Sequence, residues 1–147
     1  MESTRSVRFN RKGDRLLCLE DGQLPVIYSE PTRARLIPND GKIQLTAPGF
    51  KVSNSGFAPS CFIAGQNDDV VVTASNDNSL FLWSVPEDVV VGKIEEPLLI
   101  LTGHKGQVNC IRYSGANGVL VSSEDANIVK MWKPSTRKRK MSHIDID

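Results

Sequence analysis

Apolar and polar residues alternate in short runs along most of this chain, and clusters of Gly, Asn, Asp and Pro separate the runs. No segment sustains a helical period, so the pattern predicts strands and turns. Residues 108–113, 119–123 and 128–132 read as three strands. Gly115-Ala116-Asn117-Gly118 and Asp125-Ala126-Asn127 read as the turns between them, the Asn-Gly pair favouring positive φ. Residues 59–64, 70–74 and 80–85 repeat the arrangement, with turns at Asn67-Asp68-Asp69 and Asn76-Asp77-Asn78 and a fourth strand at 98–101. Residues 7–9, 15–19, 26–29 and 42–46 give a weaker version. Pro25 stands where its third strand begins, a position proline tolerates at a strand start or edge, so this unit is expected to be irregular. The stretches 30–41 and 48–56 are long and rich in Pro, Gly, Ser and Asn, as functional or mobile loops often are.

The three versions align as repeats. A shift of 49 positions carries Trp83 onto Trp132 without a gap, together with Cys61 onto Cys110, Val70 onto Val119 and Asn78 onto Asn127. A shift of 104 carries Val7-Arg8-Phe9 onto Ile111-Arg112-Tyr113, Leu16-Leu17 onto Leu120-Val121 and Tyr28 onto Trp132. Repetition at such a period means stacked supersecondary units, each burying a face against the next.

Strands in fours, Gly103-His104 before the last unit, and Trp83 and Trp132 at the ends of third strands resemble the WD40 repeat over roughly residues 6–134. The resemblance implies an all-β fold, a partial β-propeller of about three four-stranded antiparallel blades that do not close a ring. The blades would be 6–47 (degenerate), 58–102, and 103–134 without a clear outer strand, followed by a basic tail at 135–147 expected to be disordered. Propellers of about four to eight blades close, so three units suggest a truncated form whose open strand edges invite self-association. The family's hydrogen-bond series of His, Ser/Thr, Asp and Trp is incomplete in each copy. Ser75, Asp77 and Trp83 fit it in the middle copy, which lacks the His. His104 and Trp132 fit it in the last, where Glu124 and Ala126 replace the Ser and Asp and Asp125 lies one place off.

A narrower resemblance is carried by Ser6-Val7-Arg8-Phe9-Asn10, by Leu24-Pro25-Val26-Ile27-Tyr28, by Phe62-Ile63-Ala64-Gly65, and by Leu101-x-Gly103-His104-Lys105 with Val108-Asn109-x-Ile111-Arg112. These strings are similar to those of the WD40 substrate receptors of cullin-4 RING ubiquitin ligases. That family implies a scaffold docking on the ligase adaptor and holding a protein substrate, with the ubiquitin chemistry done by other subunits. Receptors of this type often dock through Trp-Asp-x-Arg, whereas here Ser84 follows Trp83 and Lys133-Pro134 follows Trp132. The alternative is a WD40 scaffold of another nuclear assembly, in chromatin or RNA processing. On the family's pattern Lys105, Gln107, Asn76 and Asn78, with the 48–56 loop, belong to the loop-bearing face that receives partners.

Composition narrows this little further. The chain has 147 residues, about one domain, with 39% apolar residues, and its net charge of +1 gives no whole-chain pull toward nucleic acid or acidic membranes. Three cysteines without a Cys-x-x-C pair argue against a zinc site and suit a reducing compartment. No nucleophile–base pairing, phosphate loop or metal-binding helix motif is present, so neither catalysis nor a cofactor is expected. The apolar runs are too short for a membrane helix, which points to a soluble protein of nucleus or cytoplasm. The basic run Arg137-Lys138-Arg139-Lys140 reads either as a nuclear import signal or as a solvated tail that keeps an edge strand from pairing. No aromatic is interleaved to stack on bases, so nucleic acid is a less favoured partner.

Overall fold

The computed structural model describes residues 4–29, 42–52, 59–64, 68–134 and 141–146. Among them every regular element is a strand. In chain order these are β1 (Thr4–Phe9), β2 (Arg15–Glu20), β3 (Val26–Ser29) and β4 (Lys42–Leu45), then β5 (Ser60–Ala64), β6 (Asp68–Ala74) and β7 (Leu80–Pro86). There follow β8 (Gly92–Ile94), β9 (Leu99–Leu101), β10 (Val108–Ser114), β11 (Val119–Glu124), β12 (Val129–Pro134) and β13 (Met141–Ile146).

The strands form three sheets, ordered β1-β2-β3-β4-β8, β5-β6-β7-β9 and β10-β11-β12-β13. Each begins as an antiparallel meander, because the turns are short and carry residues able to take positive φ. Asn78 (φ 71°) and Asn127 (φ 63°), at equivalent repeat positions, turn the second strand into the third in their units. The first strands β1, β5 and β10 lie side by side along the inner edge, and the sheets radiate from them as an open arc.

Three expectations need correction. The last sheet has an outer strand: β13 pairs antiparallel with β12 from Val129↔Ile146 to Pro134↔Met141, so 141–146 is not tail. The basic residues Arg137 to Lys140 fall in 135–140, outside the described residues. The first sheet has a fifth strand, β8, which returns from the middle unit and pairs parallel with β4 (Ile43↔Gly92). Asp68 and Asp69, expected in a turn, are strand residues paired with Pro86 and Val85.

Alternation within each strand sends successive side chains to opposite faces of the sheet. In the middle sheet Val71, Phe81, Trp83 and Val85 face the first sheet and meet Leu17, Ile27, Ile43 and Leu45. Their neighbours Val72, Leu80 and Leu82 face the third sheet and meet Val108, Ile111, Leu120 and Trp132. Burying each such side chain contributes about 1.5–3 kcal/mol, so the middle sheet is held by apolar contact on both sides. Phe50, from the loop after β4, closes the first core with edge-on contacts to Phe81 (5.1 Å) and Trp83 (5.3 Å). The repeat shift places Val119, Val121, Val129 and Met131 where Val70, Val72, Leu80 and Leu82 stand in the middle sheet. On the last sheet this face is only partly covered, and Val129 is exposed.

A buried cation ties the first two sheets at one end. Arg15 donates to the carbonyls of Val85 (2.7 Å), Pro86 (2.6 Å) and Val89 (3.1 Å). Asp69 Oδ2 lies 3.7 Å from the guanidinium and accepts from Asn10 at 2.8 Å. Multiple carbonyl acceptors and a carboxylate are what a buried guanidinium requires.

Candidate interaction face

At the opposite end of the sheets, the third sheet holds a chain of buried polar groups. Ser122 and Glu124 share a face of β11, being two residues apart on a strand. Trp132, paired with Leu120 on β12, points to the same side, and the indole Nε1–H donates to Ser122 Oγ at 2.8 Å. His104, in the segment entering β10, places Nε2 at 2.6 Å from Ser122 Oγ and Nδ1 at 2.8 Å from Glu124 Oε2. Because Trp132 occupies the serine oxygen as donor, the serine O–H is left to donate to Nε2. Nδ1–H then donates to the carboxylate, a consistent direction along the chain for a neutral imidazole.

Glu124 Oε2 also accepts the backbone N–H of Lys105 (2.9 Å) and Gly106 (3.1 Å), which fixes the loop leading into β10. Burial pushes the Glu124 carboxyl up, but hydrogen bonds from Gly106, His104 and Lys105 outweigh it and hold it below its ordinary value. Gly103 is needed at the entry to this loop because its φ is 136°, a conformation that L side chains rarely adopt.

The expected bonding positions are therefore displaced. His104 and Trp132 are joined, but through Ser122, which the repeat alignment had not singled out, and Glu124 takes the carboxylate place rather than the serine place. In the middle copy Ser75, Asp77 and Trp83 do not bond in series, and each engages backbone instead. Trp83 Nε1 donates to the Thr46 carbonyl of the neighbouring sheet (2.9 Å), Ser75 Oγ accepts from Lys51 N–H (2.9 Å), and Asp77 accepts from Ser79 N–H (3.1 Å). The copy has no histidine, and its indole donates to a main-chain carbonyl rather than to a hydroxyl.

These contacts bring the loop residues together. Asn76 N–H donates to the Lys51 carbonyl (2.9 Å), and Asn78 Nδ2 donates to the Lys105 carbonyl (3.3 Å), bridging the loops of the second and third sheets. Lys51, Asn76 and Lys105 are exposed, while Asn78 and Gln107 are half-buried. Of the 48–56 loop, residues 53–56 lie outside the described residues. The result is a polar surface of backbone-anchored loops on rigid strands, with exposed ammonium and amide groups able to donate to a partner. Among the described residues no group of three or more His, Cys, Asp or Glu could hold a metal ion. Cys18, Cys61 and Cys110 are free thiols, and burial pushes Cys61 up to about 12, so it is not a ready nucleophile.

Stacked antiparallel sheets with a Gly-His entry and a Trp on the third strand define a partial WD40-type β-propeller. Residues 95–133 match the family model described as "WD domain, G-beta repeat". Over 143 residues the chain is 30% identical to DDB1- and CUL4-associated factor 5 of mouse and of human, covering 91% of this chain but 14% of each relative. It is 34% identical over 85 residues to the WD repeat-containing protein 26 homolog of Drosophila melanogaster, covering 56% of this chain and 12% of that protein. A chain in a crystal structure of the mitotic checkpoint complex superimposes with a TM-score of 0.59 at 16% identity, over 96% of this chain and 38% of that one, a likeness of fold. The chain thus spans about one seventh of the length of the first two relatives.

Proposed function

We propose that this chain serves as a protein-interaction scaffold of the kind found in substrate receptors of cullin-4 RING ubiquitin ligases. The observation that carries this is the similarity to DDB1- and CUL4-associated factor 5, which runs through nearly the whole chain rather than through one repeat. The loop face at Lys51, Asn76, Asn78 and Lys105 would hold a protein partner, while ubiquitin transfer would belong to other subunits. With Ser84 after Trp83 and Lys133 after Trp132, adaptor docking through Trp-Asp-x-Arg has no basis in these units. Docking would then use other surfaces. The Arg137–Lys140 run would direct such a protein to the nucleus, which neutral replacements in a fluorescent fusion would test by a shift to the cytoplasm.

Affinity capture tests the ligase reading. The tagged protein should recover the cullin-4 scaffold and its adaptor from cells, and recovery should persist when Lys105 and Asn78 are replaced by Ala while bound substrate is lost. Capture of neither subunit would reject the ligase role and leave a WD40 scaffold of another assembly.

A further inference from the structure

The inner edges of the three sheets form a cleft of about 510 Å³ lined by Arg8, Arg11 and Arg112 together with Ser60 and aromatic side chains of the first strands. The repeat explains two of the cations: Arg8-Phe9 on β1 and Arg112-Tyr113 on β10 are equivalent positions, so the third sheet repeats the Arg–aromatic pair of the first. All three arginines are exposed, and Phe9 is 62% exposed beside them. No Asp or Glu is among the residues lining the cleft. Arg8 and Arg112 also act together on Cys61: the main effect there is burial, which raises the thiol, and both guanidinium charges oppose it.

A second feature points into the same place. Ser60 is 2% exposed, and its hydroxyl has no hydrogen-bond partner among the described residues. An unmatched buried hydroxyl is costly, and it sits at the start of β5, whose neighbours β1 and β10 carry Arg8 and Arg112.

We propose that this inner wall binds a phosphorylated segment of a protein partner, with Arg8, Arg11 and Arg112 pairing the phosphate and the Ser60 hydroxyl donating to one of its oxygens. A phosphate dianion offers three acceptor oxygens to guanidinium groups, which bind it in a forked, charge-assisted geometry. The cleft volume falls within the ~300–1,000 Å³ of small-ligand sites, enough for a phosphorylated side chain with its neighbours. Phe9, Phe62 and Tyr113 supply apolar surface suited to flanking side chains. A nucleic acid would need a basic track extending along the surface, and the chain's net charge of +1 with three arginines in one cleft does not provide it. The site is separate from the loop face and does not depend on the ligase reading.

The test uses the full chain and a short fluorescent peptide carrying a single phosphoserine flanked by leucines, followed by anisotropy. The phosphorylated peptide should bind at least about tenfold more tightly than its unphosphorylated form. The double variant Arg8→Gln/Arg112→Gln should abolish that preference. Ser60→Ala should weaken the phosphopeptide several-fold while leaving thermal unfolding unchanged or raised, a pattern that a purely structural serine would not give. Equal binding of the two peptides, a double variant that keeps the preference, or stronger binding of a single-stranded oligonucleotide of equal charge would each overturn the proposal.

Discussion

His104 Nδ1 lies 2.8 Å from Glu124 Oε2, and both side chains are withdrawn from solvent. This contact, together with Ser122, gives the third sheet a continuous polar chain from Trp132 to the loop before β10. It fixes the loop at Lys105 and Gly106 and so shapes the proposed interaction face from beneath.

Ser122→Ala removes the acceptor for Trp132 and the partner of His104 in one change. The indole N–H is then left without this acceptor in a buried site. A loss of about 1–3 kcal/mol is expected, read as a lower urea midpoint with an unchanged slope. Ser122→Thr, which keeps the hydroxyl, should recover most of the loss.

Stability should also depend on acid through Glu124. Its carboxyl is held below its ordinary value near 4.5 in the folded state. The unfolded chain therefore takes up the proton first as pH falls. The contribution is full above the unfolded value and is lost as pH drops through the lower folded value. Denaturation midpoints measured from pH 7 downward should fall through this window, and Glu124→Gln should start lower and fall less.

Arg15→Met tests the tie between the first and second sheets. Three carbonyls and Asp69 lose their cation, and Asp69 is left beside an apolar side chain. Breaking a buried pair in this way costs roughly 3–5 kcal/mol. Amide exchange should quicken first in residues 85–89, whose carbonyls the guanidinium holds.

Much of the arrangement is legible in the amino-acid order because each unit is local. Period-2 alternation and the turn residues Asn78 and Asn127 locate the meanders, and the recurrence of Trp83 at Trp132 sets their stacking. What escapes is decided by tertiary contact. Nothing in Gly92-Lys93-Ile94 announces a strand; β8 exists because the edge of β4 in another unit offers it hydrogen bonds. The alternation in Met141–Ile146 is present but stands behind a basic run that reads as tail. Trp83 takes a carbonyl from the adjoining sheet, which no repeat alignment contains. Ser122 was recoverable: it lies ten residues before Trp132, as buried Thr73 lies before Trp83, and only the choice of the later serine position hid it. On the proposed interaction face, Asn78 and Lys105 come from the family's pattern, whereas the inner arginines line one cleft only because β1 and β10 lie on either side of β5.

Everything rests on three sheets packed side by side with Trp83 and Trp132 each enclosed between neighbours, at 0% and 1% exposure. Acrylamide quenching of the single-tryptophan variants Trp83→Phe and Trp132→Phe measures this directly. Both should show blue-shifted emission and quenching constants several-fold below those of the unfolded chain. Quenching of either tryptophan as ready as in urea would contradict the stacked arrangement.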